Sequence, residues 1–342
     1  MSENSQSVQP PPSAQMFQYI FSLMIPQAIH VAAKLGIADI VTKAPALVED
    51  LAAATNSEVT ALQRLLRFLS SVGIFAEDST GRFQQTPLSD TLRSDHTQSM
   101  RNAAILFGSE LLWKSFGELS STIATGRPAF NQVFGTTFFE YLAAHQGDAA
   151  IFNAAMSAIS GAELPAIVGA YEYSKFQRIV DVGGGQGALL HGILSANPKL
   201  RGVLFDLPSV VAGAASLLKG PIAGRCDVVG GDFFVGVPEG ADAYLMRVVL
   251  HDWNDEDALK ILTNCRRAIP AHGKLLLVES VLKPSNQPDP GRFNDLTMLV
   301  IAPGGRERTE AEFGELLTNA GFALIRVIPA TGLTSIVEAR PV

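Results

Sequence analysis

His251 closes the apolar run in LMRVVLHDWNDED, where a strand-like stretch stops and a charged one begins. Imidazole, with an ordinary pKa near 6.5, is the side chain best suited to take a proton from a hydroxyl near neutral pH. A second stretch with chemical content is DVGGGQGALL, from Asp181 to Leu190, which reads as strand, glycine turn and helix. Glycines let the backbone turn sharply and approach a ligand at a helix N-terminus. Gly183, Gly185 and Ala188 also satisfy the dinucleotide pattern G-x-G-x-x-G/A, so the glycines alone leave the ligand open.

Charge separates the candidates. A nicotinamide dinucleotide brings a pyrophosphate to this turn, and Asp181 is a poor neighbour for it. S-adenosylmethionine brings a sulfonium and an ammonium, which a carboxylate attracts. Asp206 ends the next strand-like run, RGVLFDL, where a ribose-binding acid would stand. Asp232 ends the one after it and is followed by Phe233, an acceptor for an adenine amino group beside a flat apolar face. Three acids at the carboxyl ends of successive strands fit a cationic nucleoside better than a dinucleotide.

The elements that position these residues follow from the pattern. From about residue 176 onward, FQRIVDVG, RGVLFDL, CDVVGGDFF, AYLMRVVL and GKLLLVESVL read as strands alternating with helices such as ALLHGILSANP and DEDALKILTNCRRAI. That alternation predicts an α/β fold with a doubly wound, Rossmann-like sheet, closed by the antiparallel pair ALIRVIPA and LTSIVEA. Up to about residue 170 the spacing is helical. A helix from Leu47 to Ala54, a second carrying Leu62, Leu65, Leu66 and Leu69 and stopping at Gly73, and the hairpin-like FAEDSTGRFQQTP outline a winged helix-turn-helix. Between Lys34 and Asp95, six basic residues face eight acidic ones, and the second helix offers only two arginines. Phosphate-tracking surfaces need more cations than this, so the module reads as a packing or dimerisation unit and not as a nucleic-acid reader.

The 342 residues are long enough for two domains, and 47% hydrophobic with 17% charged residues describes a globular chain. The net charge of −7 argues against a general nucleic-acid-binding surface. Cys226 and Cys265 have no ligand spacing and fit buried thiols in a reducing, cytoplasmic setting. The apolar segment Met16 to Val41 is interrupted by Pro26, His30 and Lys34, so it reads as a buried or intersubunit helix, with no membrane partner. The expected organisation is a disordered lead-in over 1–13, a winged-helix-like dimerisation domain over 14–105, a helical linker region over 106–170, and a cofactor-binding α/β domain over 171–342.

In this order, DVGGGQG, FDLP, GGDFF, LMRVVLHDW and GGRERTEAEF resemble the caffeic-acid-type S-adenosylmethionine-dependent small-molecule O-methyltransferases, the bacterial branch most of all. The resemblance covers nearly the whole chain. It implies that Asp181, Gly183, Gly185 and Leu207 lie along the cofactor, that Asp206 takes the ribose hydroxyls, that Asp232 and Phe233 flank adenine, and that Arg247 is a basic cofactor contact. It puts His251 on the general base and Glu279 and Glu307 on two flanking acids. Phe152, Met156 and Met298 fall on the acceptor pocket, and Trp113 is grouped with them. Ile159 and Ala302 stand where plant relatives carry polar His and Asn, which implies a more apolar pocket.

The chemistry asks for such a set. Methyl transfer to a hydroxyl is an in-line displacement, and a phenol with a pKa near 10 gains from a positioned base. A carboxylate on the other imidazole nitrogen would fix the tautomer; Glu279 and Glu307 both qualify. Asn254 reads as the N-cap of the following helix, which assigns Asp255, Glu256 and Asp257 to its first turn and not to catalysis. Thr309 and Glu312 read as a capping box, and Asp252 either as a group behind the base or as a solvated residue. The expectation is a homodimeric enzyme, without a metal, that methylates a hydroxyl of an aromatic or polyketide-like molecule and leaves S-adenosylhomocysteine. Its rivals are an N-methyltransferase, a non-methylating hydroxylase-like relative, a dinucleotide oxidoreductase and a winged-helix regulator.

Overall fold

The computed structural model describes residues 10–214 and 220–342. Residues 1–9 of the expected lead-in lie outside them, and the first helix begins at Pro12. The chain forms two compact units, Met1–Trp113 with His145–Ile159, and Lys114–Ala144 with Ser160–Val342.

The first unit opens with α1 (Pro12–Phe21), which buries none of its residues and leaves Met16, Phe17, Tyr19, Ile20 and Phe21 exposed. Helix α2 (Met24–Leu35) ends at Gly36 in the left-handed region and buries Ala28, Ala32 and Ala33. Helices α3 (Val48–Thr55) and α4 (Val59–Ser71) then pack with the short antiparallel strands β1 (Phe75–Glu77) and β2 (Phe83–Gln85). Leu62, Leu66 and Leu69 of α4 are buried because they repeat at helical spacing on one face. They meet Leu51, Phe75 and Phe83 in a core where each such side chain contributes roughly 1.5–3 kcal/mol. Glu58 caps the start of α4 by accepting from the Thr60 and Ala61 amides. At its end Gly73 donates to Ser70 and Ile74 to Leu69, a pairing that needs the positive φ of Gly73. Helix, turn, helix and wing are thus present as expected.

In the second unit the sheet order among the described residues is β10–β11–β7–β6–β3–β4–β5. Its strands are β3 (Arg178–Val182), β4 (Arg201–Asp206), β5 (Cys226–Gly230), β6 (Ala243–Arg247), β7 (Lys274–Glu279), β10 (Phe322–Pro329) and β11 (Ser335–Pro341). The first five run parallel, and β11 and β10 add antiparallel at one edge. The apolar runs read as strands because both faces are covered. Val180, Val203, Tyr244 and Leu275 pack with α6 (Asp255–Ala268) and α8 (Glu310–Asn319) on one side. Ile179, Leu204, Leu245 and Leu276 pack with α5 (Ala188–Ala196) on the other. GKLLLVESVL does not form one strand: it breaks at Ser280, and β8 (Val281–Leu282) pairs instead with β9 (Arg308–Thr309). Chain order reverses at β3, whose neighbours are β4 and β6, and the carboxyl edge there is the crevice where such sheets bind ligands.

Candidate active site

Strand β6 ends at Arg247 on that edge, and the next residue, Val248, has φ +53. A β-branched residue in the left-handed region is strained, and such strain persists only where the surroundings enforce it. It turns the chain into a short 3₁₀ turn, Leu250–Asp252, that carries His251, and Asn254 then caps α6 by accepting from the Asp257 amide at 2.9 Å. Glu279, at the end of β7 and 1% exposed, accepts from the Val249 and Leu250 amides at 3.0 and 2.8 Å. Its contact is with the backbone of the turn, and its Oε2 has no partner.

Glu307 makes the direct contact with the imidazole. Its Oε1 lies 2.9 Å from His251 Nδ1, and both side chains are buried. An ionised carboxylate only accepts, so neutral His251 carries its proton on Nδ1 and leaves the Nε2 lone pair free. The choice between Glu279 and Glu307, open in the sequence, is made by this geometry. Asp252 Oδ1 lies 3.5 Å from Nε2. Burial is the largest single influence and opposes the imidazolium, but the Glu307 hydrogen bond together with the charges of Asp252, Glu279 and Glu307 outweighs it, and His251 rises to about 9. Burial pushes Glu279 up to about 7, against the attraction of His251.

Several residues at this site escape sequence reasoning. Asn294, on α7 (Gly291–Ile301), donates its amide to Glu307 Oε1, and Asp295 accepts from the Glu307 backbone amide at 2.9 Å. Arg308 is 1% exposed and pairs with Asp255, so Asp255 does more than start a helix. Nothing in GGRERTEAEF distinguishes a buried arginine from a solvated one; only the fold does. The capping box of Thr309 and Glu312 forms as read.

The glycine loop adjoins the His251 turn. A Cβ on Gly183, itself at φ +69, would stand 2.8 Å from Val249 Cγ2 and 3.7 Å from Phe233. A Cβ on Gly184 would strike the Asp181 carboxylate at 2.6 Å. Asp206 accepts from the Gly185 amide at 2.8 Å through one oxygen and from the Leu207 amide at 2.7 Å through the other, so it shapes the loop while keeping lone pairs for a further donor. Asp232 is exposed and accepts from the Phe234 amide; Leu207 is also exposed. Phe233 is half-buried, with Asn264 holding its carbonyl at 2.8 Å.

Asp181 bears on which ligand the loop suits. It is 1% exposed, neither oxygen has a partner, and burial with the nearby Asp206 charge raises it to about 7, although Arg247 opposes this. Two unpaired carboxylate oxygens beneath a glycine turn suit a cationic amine and repel a pyrophosphate. Arg247 is engaged by Glu163 at 2.7 Å, and Glu163 also accepts from Thr331 Oγ1 at 3.0 Å. Met298 is buried near the Gly305 position, and Ala302 is buried beside it. Trp113, Phe152 and Met156 belong to the first unit, where Trp113 is exposed and the other two are half-buried.

Comparison with known proteins matches residues 116–323 to an O-methyltransferase domain and residues 17–95 to an O-methyltransferase dimerisation domain. The chain is 44% identical to a phenazine O-methyltransferase of Lysobacter antibioticus over 100% of both chains. The crystal structure of LaPhzM superposes with a TM-score of 0.89 at 45% identity, covering 97% of this chain and 100% of that one. An O-methyltransferase of neocarzinostatin biosynthesis, solved with S-adenosylmethionine and 2-hydroxy-5-methyl naphthoic acid, superposes at 0.80 with 34% identity, over 93% of this chain and 96% of that one.

Proposed function

The chain belongs to the S-adenosylmethionine-dependent O-methyltransferases, and from that premise we propose that it methylates a phenolic hydroxyl of a polycyclic aromatic molecule with His251 as general base. The observation that carries this reading is the buried His251–Glu307 pair at 2.9 Å, on a turn whose preceding residue, Val249, abuts Gly183 of the glycine loop. Bound S-adenosylmethionine supplies an electrophilic methyl group on a sulfonium. Asp181 takes its ammonium and Asp206 its ribose hydroxyls, while Asp232 and Phe233 flank the adenine. Leu207 and the backbone at Gly183 and Gly185 complete that surface, and Arg247, once relieved of Glu163, serves the carboxylate end.

The bound cofactor would give its methyl group to the acceptor oxygen, the methyl–sulfur bond breaking to leave S-adenosylhomocysteine, while His251 Nε2 takes the hydroxyl proton. Glu307 holds Nδ1–H and stabilises the imidazolium as it forms, and Glu279 fixes the backbone beneath the ring. A base held up to about 9 is favoured by alkaline pH and by a cation entering beside it, which disfavours the imidazolium. Met298 and Ala302 give the acceptor side its apolar character. The exposed apolar face of α1 is the surface expected to meet a second subunit, so the working form is a homodimer. Two buried, unpaired thiols, Cys226 and Cys265, fit a cytoplasmic setting, and neither nucleic acid nor membrane has a part in it.

The test is transfer of a labelled methyl group to a panel of hydroxylated naphthoates and phenazines, with the labelled atom identified by mass spectrometry. Label on oxygen is expected. Label on ring nitrogen alone, or hydroxylation without label, would overturn the reading.

A further inference from the structure

We propose that Arg308 is a positioning residue for methyl transfer, a clamp that sets the backbone of the His251 turn against the segment carrying Glu307. The proposal rests on His251 being the base. Arg308 is 1% exposed, and its guanidinium spends its donors on one short stretch of chain. Nη1 donates to the Leu250 carbonyl at 2.9 Å, Nη2 to the Trp253 carbonyl at 2.9 Å, and Nε and Nη2 to Asp255 Oδ1 at 3.0 and 2.7 Å. The Arg306 amide donates to the His251 carbonyl between them at 2.8 Å. Residues 306–308 therefore hold the carbonyls of Leu250, His251 and Trp253, and Glu307 of the same segment holds the ring.

The consequence is geometric. The turn reaches this place through Val248 at φ +53, a conformation a β-branched residue leaves when released. Internal bonding of the turn is slight, Asp252 to Val249 at 3.3 Å and Trp253 to Leu250 at 3.2 Å. Glu279 holds it from the β7 side through the Val249 and Leu250 amides, and Arg308 from the opposite end through the carbonyls. A planar fork meets these acceptors together, which the single ammonium of lysine cannot do. Arg308 touches none of the side chains assigned to the cofactor, so its loss acts on the base and not on binding.

The test uses Arg308→Lys in the full chain. Cofactor affinity by calorimetry is expected to stay within about twofold and kcat to fall roughly 30- to 100-fold with little change in acceptor KM, the scale on which a misplacement of about 1 Å acts. In carbon-13-labelled histidine spectra, the His251 titration is expected to move down by at least about half a pH unit as the Glu307 contact loosens, which a purely structural arginine would not cause. A folded variant with parental kcat and parental His251 titration overturns the proposal. If Arg308→Lys does not fold, Asp255→Asn decides the matter, because it weakens the fork from its exposed end; a kcat loss of roughly fivefold supports the clamp and parental kcat overturns it. Parental turnover in His251→Ala would instead sink the base reading, while the titration still reports on the clamp by itself.

Discussion

Replacing Glu307 by glutamine removes a charge while keeping the side chain's length and an acceptor for His251 Nδ1–H. Glu307 is the largest of the influences that lift His251 above the ordinary 6.5 to about 9, against burial, which pulls it down. That gap corresponds to roughly 3 kcal/mol of preference for imidazolium over imidazole. With glutamine most of it disappears, and His251 falls to or below its ordinary value. If the proton is about half transferred at the transition state, roughly 1.5 kcal/mol is lost there, about tenfold in rate where the imidazole is neutral in both proteins. The sign reverses with pH. Between about pH 7 and 9 the parent is held largely as imidazolium and the variant is not, so the deficit seen near pH 9 shrinks or inverts as pH falls through that window. The assay is the pH dependence of kcat/KM for one phenolic acceptor from about pH 5.5 to 9.5, with cofactor binding checked at each end. An acid limb at the parental position, or a plateau equal to the parent's, would refute the reasoning.

Other consequences concern the glycine loop, the first unit and the last helix. Asp181→Asn removes a buried, unpaired carboxyl raised to about 7; cofactor binding should weaken roughly 10- to 100-fold, the worth of a hydrogen bond to a charged group. Because the folded protein holds the Asp181 proton more tightly than the unfolded chain, the parent loses stability as pH rises from about 4 through about 7, and the variant should escape that loss in thermal melts at pH 8. Phe17→Glu with Ile20→Glu charges the exposed apolar face of α1; sedimentation should show monomers, and an unchanged dimer would place the subunit contact elsewhere. Thr309→Ala breaks the capping box of α8 and should cost about 1 kcal/mol in denaturant unfolding.

Much of this architecture is legible because it depends on local periodicity. The strands of the second unit are continuous apolar runs, as a sheet covered on both faces requires, and Asn254, Thr309 and Gly73 announce their helix ends within a few residues. The site is legible only in part. Asp181 and His251 are visible because they sit at strand ends beside a change of texture. The division of labour between Glu279 and Glu307 is not visible, because it depends on which carboxylate meets the ring and which meets the backbone across 28 residues of chain. Arg308 and Asn294 are hidden for the same reason: a residue's burial and its partner are properties of packing. The strain at Val248 has no signal in composition at all, since valine there looks like one more residue of a strand.

Single-turnover methyl transfer by His251→Ala, with cofactor and a phenolic acceptor both saturating at about pH 9, tests the central claim most directly. The account predicts parental cofactor affinity with the transfer rate lowered by roughly 10²- to 10⁴-fold, the usual worth of a positioned base. A transfer rate equal to the parent's would contradict it.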